Sequence, residues 1–288
     1  MFIKMISIII CSRNTQIDSD LYSNLQETIG LDYELIVIDN SKNVYSIYEA
    51  YNLGIKKSTG DYLCFIHDDI RFHTKNWGKI IESIFQSDEN IGLIGVAGTK
   101  IKAKITSAWW DCPEKYRVMN IKQQLKSGQV EDWFFGWNNS NIEEVVAIDG
   151  VFMAMPRKDK IYFTNQLKGF HNYDLDISFK VKKNKKKIVV TNQLLLEHFS
   201  EGKVDASWVK STLKIHNLYN DILPLNVVDN FSLFEYKDID FENVKKMIYL
   251  SFIENRKYLA LRIWITFFLE YPRNKYHSLF WKEFLNLK

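Results

Sequence analysis

The chain has 288 residues, 46% hydrophobic and 25% charged, which excludes a disordered or fibrous protein and allows one large domain or a domain with an appendage. Only 12 glycines and 4 prolines are present, which removes collagen-like and linker-rich designs. The formal net charge of +3 supplies no strong field, so nucleic acid is disfavoured as a partner.

Strand-like and helix-like periods alternate through the first hundred residues, the signature of βαβ units around a parallel sheet. Residues 5–11, 35–39, 62–67 and 91–96 are short, β-branched and almost continuously apolar, as strands covered on both faces must be. Helices are predicted over 20–29, ending at Gly30, over 44–57, and over 74–85 with Thr74 as N-cap. From 100 to about 192 the pattern loosens, and the aromatic segments KITSAWWDCPEKYRVMN and EDWFFGWNNSN read as long functional loops. A strand is predicted over 144–155, a helix over 174–183, and strands over 187–191 and 194–197. Helices fill the remainder, with no repeat or low-complexity tract. The fold class is therefore α/β, a doubly wound, mostly parallel sheet over residues 1–202 with a helical C-terminal extension over 203–288.

The cysteines Cys11, Cys64 and Cys112 are odd in number, and the first two fall in apolar runs, which points to a reducing compartment. The opening FIKMISIIICSRN has a short apolar run and no small-residue cleavage pattern. No stretch reaches the roughly 18 apolar residues of a membrane span. A cytoplasmic protein is expected.

Chemistry concentrates where strands end. Asp39-Asn40-Ser41 closes the second strand, where a carboxylate accepts from a base imide or ribose hydroxyl or caps the next helix. The run from Gly60 to Asp69 passes from a turn through a buried strand into the adjacent carboxylates Asp68 and Asp69. Such a pair repels itself unless a cation or donors offset it, and Mg²⁺ or Mn²⁺ shared with substrate phosphates does so. Capping of the loop before Thr74 is the plainer alternative, and His67 is read as a packing or hydrogen-bonding side chain. Asp149-Gly150 ends another apolar run. Asp174 and Asp176 open the predicted helix; Asp176 takes the capping role, leaving Asp174 to face a cleft. In Glu197-His198-Phe199-Ser200 the imidazole is either a further metal ligand or a structural side chain.

In this order, SIIICSRN, ELIVIDNS, GDYLCFIHDD, AIDGVFMA, FHNYDLDISF and EHFS resemble the family-2-type glycosyltransferases with the GT-A fold, over about residues 5–200. The resemblance implies an inverting, hexosyltransferase-like enzyme of polysaccharide biosynthesis that moves a sugar from a nucleotide-diphosphate donor to a hydroxyl of a glycan or lipid-linked glycan. It also implies a divalent metal, Mn²⁺ or Mg²⁺. Ser12 and Arg13 then lie along the nucleotide, Asp39 contacts the base and Asp68 meets the ribose or donor sugar. Asp69 and His198 are implied metal contacts, Asp149 and Gly150 the acceptor-side turn, and Asp174 the general base. Two positions depart from the pattern: His67 and Tyr173 both stand where an acidic residue is usual. No Gln-X-X-Arg-Trp segment follows, so a processive cellulose- or chitin-type synthase is not suggested.

Trp109, Trp110 and the WFFGW cluster are expected beside the acceptor, holding sugar rings or lipid, or else forming a satellite core beneath loops. A dehydrogenase would need Gly-X-Gly-X-X-Gly where Cys11-Ser12-Arg13-Asn14 stands. A sugar nucleotidyltransferase would need a glycine-rich basic loop at that point. Outside enzymes, the alternative is a catalytically silent carbohydrate-binding protein of the same fold. In the tail from Arg256, seven basic residues face Glu270 and Glu283, and nine aromatics lie among them. Leu261, Trp264, Ile265 and Phe268 share one helical face, and Pro272 ends that helix. This face either packs on the catalytic domain or, flanked by Lys and Arg, makes peripheral contact with the inner face of the membrane.

Overall fold

The computed structural model describes residues 4–286. The first half comprises β1 (Ile6–Ser12), α1 (Ser19–Thr28), β2 (Tyr33–Asp39), α2 (Ile47–Lys57), β3 (Tyr62–Ile66), β4 (Ile70–Phe72), α3 (Trp77–Ser87) and β5 (Ile91–Gly95). Then come β6 (Ala97–Thr99), β7 (Ile101–Lys102), β8 (Arg117–Gln124), β9 (Val130–Phe135), β10 (Ile142–Val145), β11 (Ala147–Ile148) and β12 (Phe152–Pro156). The remainder is α4 (Tyr173–Lys183), β13 (Lys187–Thr191), β14 (Leu196–His198), α5 (Ala206–Leu218), β15 (Leu225–Asn226), α6 (Leu233–Ile253), α7 (Lys257–Glu270) and α8 (Tyr276–Asn286).

A seven-stranded sheet in the order β10-β13-β5-β12-β3-β1-β2 forms the centre. β1 is parallel to both β2 and β3, and β5 is parallel to β13, while β12 and β10 run against their neighbours. The expected mostly parallel α/β sheet is thus present. Every residue of β3, β5 and β12 is buried, which explains their unbroken apolar sequences. Helix ends follow local chemistry: Ser46 and Glu49 form a reciprocal capping box on α2. Gly30, just past α1, takes φ +70°, and a Cβ there would lie 2.3 Å from Asn76 Oδ1.

Several boundaries differ from expectation. α3 begins at Trp77 behind Asn76 in a left-handed conformation, and Thr74, instead of capping it, accepts a hydrogen bond from the Leu195 N–H. The run 144–155 is divided among β10, β11 and β12, which belong to two sheets. The aromatic segment expected as loop contains the antiparallel hairpin β8–β9, in which Ile121 faces Trp133 and Met119 faces Phe135. That hairpin extends a second sheet, β11-β6-β8-β14-β4, which sets His198 beside Gln123.

The C-terminal helices do pack. α5 joins the main core through Ile215, and α6 to α8 enclose a second core around Val244, Met247, Ala260, Ile263, Phe267 and Phe280. Ile105, Ala108 and Trp208 belong to that core, so the extension underlies the loop carrying Trp109 and Trp110. Ile263 and Phe267 form the inner face of α7, whereas Ile265 and Phe268 of the anticipated stripe remain 42% and 39% exposed. Among the described residues, no helix is long and apolar enough to cross a membrane.

Candidate active site

The carboxyl ends of the parallel strands gather the residues singled out on the nucleotide side, as the topology of open α/β sheets requires. Ser12 and Asp39 are register partners at the ends of β1 and β2. Asp68, just beyond β3, accepts from Ser12 Oγ at 3.0 Å and from the Arg13 N–H at 3.3 Å. Asp39 is exposed, and its contacts with the Ser41 hydroxyl and N–H hold its carboxyl below the usual range. It does not cap α2, which Ser46 does.

Beyond that edge lies a cleft of about 700 Å³, lined by His67, Asp149, Gly150, Asp174 and His198 together with Trp110, Trp133 and Phe135. A cleft of about 740 Å³ at the opposite ends of β1 and β3, near Lys4 and Asp61, gathers no comparable cluster.

At the cleft floor, His67 Nδ1 lies 3.2 Å from His198 Nε2. Asp69 Oδ1 is 3.7 Å from the first and 3.5 Å from the second. These three donors could hold one metal ion, so His67, expected to pack or hydrogen-bond, does hydrogen-bond to His198 and Tyr173 and also belongs to this cluster. Burial opposes ionisation of Asp69, but contacts with His198 and Ser200 outweigh it and keep the carboxyl well below the usual range. Burial, reinforced by His198, pushes the His67 pKa down, which favours the neutral imidazole that ligates metals.

The orientation of each ring is set from behind. Gln123 Nε2 donates to the Ser200 carbonyl at 2.8 Å and to the Gln124 carbonyl at 2.9 Å, which turns its Oε1 toward His198 Nδ1 at 3.0 Å. His198 Nδ1 therefore carries the proton, and its Nε2 lone pair points into the cluster. On the other side, the Tyr173 hydroxyl lies 2.5 Å from His67 Nε2. Neither Gln123 nor the hydroxyl of Tyr173 announces this in sequence, since each sits in an ordinary strand or helix pattern.

Asp174 occupies the first turn of α4 and accepts from the Leu175 N–H at 2.8 Å. Burial, followed by the nearby Asp149 charge, pushes its pKa up to about 7. Asp149 itself is held by the Trp109 indole N–H at 3.0 Å and the Val151 N–H at 2.8 Å. Trp109 is thus buried and serves Asp149, while Trp110 stacks on Trp208 with ring centroids 6.0 Å apart. Asp176 is not a cap: α4 follows Asn172, and the Asp176 carboxylate is fully buried. A Cβ on Gly150 would lie 2.3 Å from the Tyr173 hydroxyl, so this glycine makes room for the tyrosine.

Comparison with known proteins agrees with this fold. Residues 7–221 match a glycosyltransferase-like family. Among solved structures, the fold is similar to S. aureus TarS, residues 1–349, in complex with UDP-GlcNAc, at 12% identity and a TM-score of 0.53 over 91% of this chain and 79% of that one. It is also similar to GalNAc-T7 with UDP, GalNAc and Mn²⁺, at 11% identity and a TM-score of 0.51 over 75% of this chain. The chain spans about half of that protein, 48% of its length. No curated protein matches in sequence. With most of its length matched and a sheet whose carboxyl edge faces a cleft of aspartates and imidazoles, the chain belongs to the family 2-like glycosyltransferases of GT-A fold.

Proposed function

We propose that the protein is a metal-dependent, inverting glycosyltransferase that moves a sugar, hexose-like, from a nucleotide diphosphate to a hydroxyl of a glycan or lipid-linked glycan. The observation that carries this reading is the placing of Asp174, whose carboxyl burial pushes up to about 7, in the cleft that His67 and His198 of the candidate metal cluster also line. An inverting transfer needs a base for the acceptor hydroxyl, and a base titrating near neutral pH is best matched to that task. Asp174 takes the proton, with Asp149 fixed beside it to shape the acceptor end. Ser12, Arg13, Asp39 and Asp68 line the nucleotide, and Trp110 with Trp133 and Phe135 offers flat faces to the acceptor. A divalent ion at the cluster, Mn²⁺ or Mg²⁺, would supply positive charge opposite the departing diphosphate. UDP or UDP-GlcNAc in the TarS structures, and UDP with Mn²⁺ in GalNAc-T7, support a nucleotide-sugar donor.

In this reading residues 1–202 form the transferase unit and 203–288 a helical extension that supports its acceptor side. A cytoplasmic location in polysaccharide biosynthesis, with the tail against the membrane, accords with these assignments. A thermal-shift screen of nucleoside diphosphates and their sugars, with and without Mn²⁺, tests the proposal, since a ligand at 100 times its Kd stabilises by about 2.7 kcal/mol. A Mn²⁺-dependent shift followed by turnover with the same donor is the expected result. Stabilisation by free sugars without turnover would instead indicate a silent carbohydrate-binding protein.

A further inference from the structure

We propose that Tyr173 is a positioning residue for the metal centre, holding His67 in its ligating orientation and tying the centre to the helix that carries Asp174. The proposal rests on the reading that His67, Asp69 and His198 share a divalent ion. The chemistry of the donor set fits that reading, because the Gln123 amide leaves the His198 Nε2 lone pair facing the other two donors.

An imidazole that ligates through one nitrogen carries its proton on the other, and that N–H needs an acceptor to fix the ring. For His198 the acceptor is Gln123 Oε1, at 3.0 Å. For His67 the only side chain within hydrogen-bonding distance of Nε2 among the described contacts is the Tyr173 hydroxyl, at 2.5 Å. Ligation through Nδ1 therefore makes the His67 Nε2–H donate to Tyr173 Oη. The tyrosine is itself locked: it is buried, its ring meets Tyr51 edge-on at 5.6 Å, and its hydroxyl occupies the space left by the missing Cβ of Gly150. Tyr173 is also the residue directly before Asp174, in the same first turn of α4. Tyr173 thus joins His67 to the turn of α4 that carries Asp174. His67 and Tyr173, the two positions that depart from the sequence pattern, are partners of one another.

The test is Mn²⁺ binding to the full chain, measured by electron paramagnetic resonance titration in the absence of donor. Tyr173→Phe, which keeps the ring packing, should weaken Mn²⁺ affinity about 10- to 100-fold, the usual effect of removing an outer partner of a ligating histidine. In a His67→Asp background no Nε2–H exists to be oriented, so adding Tyr173→Phe should change affinity by less than about twofold. A hydroxyl with only a structural role would lower the melting temperature equally in both backgrounds and leave Mn²⁺ affinity in place, which overturns the proposal. An equal loss of affinity in both backgrounds also overturns it. Failure of the unmodified chain to bind Mn²⁺ at all would instead remove the metal reading on which it rests.

Discussion

The Tyr219 hydroxyl of the segment after α5 donates to Asp176 Oδ1 at 2.5 Å, while the Thr164 N–H donates to Oδ2 at 2.7 Å. Lys180, one turn along α4, lies 3.5 Å from the same carboxylate. Asp176 is therefore an internal strut joining α4, the 164 loop and α5, although it lies two residues from Asp174. Asp176→Ala leaves the buried Tyr219 hydroxyl and Thr164 N–H without their acceptor and should cost about 2–4 kcal/mol. Denaturant unfolding measures it; a loss below about 1 kcal/mol would contradict the strut assignment.

Asp174→Asn should behave in the opposite way. Loss of a general base typically lowers turnover by about a hundredfold to ten-thousandfold, with donor binding retained. The folded-state pKa, about 7, lies above the unfolded value, so the fold loses stability as pH rises from about 4 to about 7, where the unfolded carboxyl is ionised and the folded one is not, and loses no more above that. At pH 8 the asparagine variant should be more stable by about 1–3 kcal/mol, discounted for the partial exposure of this side chain, and at pH 4 nearly equal to the parent. Turnover of the parent should rise with pH through about 7. A flat profile across that range, or a variant with near-full activity, would move the base elsewhere.

Gly150→Ala is the smallest change that reaches the metal cluster from the acceptor side. Its Cβ would meet the Tyr173 hydroxyl and ring at 2.3 to 2.6 Å, and in a core packed to crystal density such an overlap forces the ring aside. The expected outcome is a loss of about 1–3 kcal/mol in stability together with weaker Mn²⁺ binding. Unchanged Mn²⁺ affinity in a destabilised variant would show that the ring shifts without disturbing His67.

How much of this was legible in sequence depends on the range of the interaction. The buried strands β1, β3 and β5 declared themselves because burial on both faces demands unbroken apolar runs. Asp69, Asp174 and His198 stand out as candidates because they lie at strand and helix ends, where capping and structural roles compete with ligation and catalysis. His67 reads in sequence as a packing or hydrogen-bonding side chain, because its neighbours in the cluster include His198, 131 positions away. Asp176 was read as a cap because Tyr219 comes from α5's far end, 43 positions on. Trp109 reads in sequence as either a sugar platform or part of a core beneath loops; it is buried, and its indole N–H belongs to Asp149, 40 residues later. In each case the role comes from a partner that only the tertiary fold supplies.

The tail carries the last prediction. Ala260, Ile263, Phe267, Tyr276 and Phe280 fill the second core, with Leu259, Leu261, Trp264 and Phe284 packed against it, so packing explains part of the apolar content of α7 and α8. It does not explain the rest: Tyr258, Leu269 and Leu285 are 74%, 75% and 75% exposed, and Ile265, Phe268 and Trp281 are also open to solvent. On the proposed reading of the tail, this exposed set is the surface that meets the membrane. The basic residues Arg256, Lys257, Arg262, Arg273, Lys275 and Lys282 lie on the same two helices and their junctions, giving the charge that anionic headgroups select. The helices also sit beneath the loop bearing Trp110, so a membrane-bound tail would bring a lipid-linked acceptor toward the cleft. Full-length protein should float with vesicles containing phosphatidylserine at low salt and less so with neutral vesicles. Leu269→Glu combined with Leu285→Glu, both on exposed positions that leave the core intact, should abolish flotation without lowering the melting temperature. Flotation that survives the double substitution would place lipid binding elsewhere, and absence of flotation by the parent would leave these helices with a packing role alone.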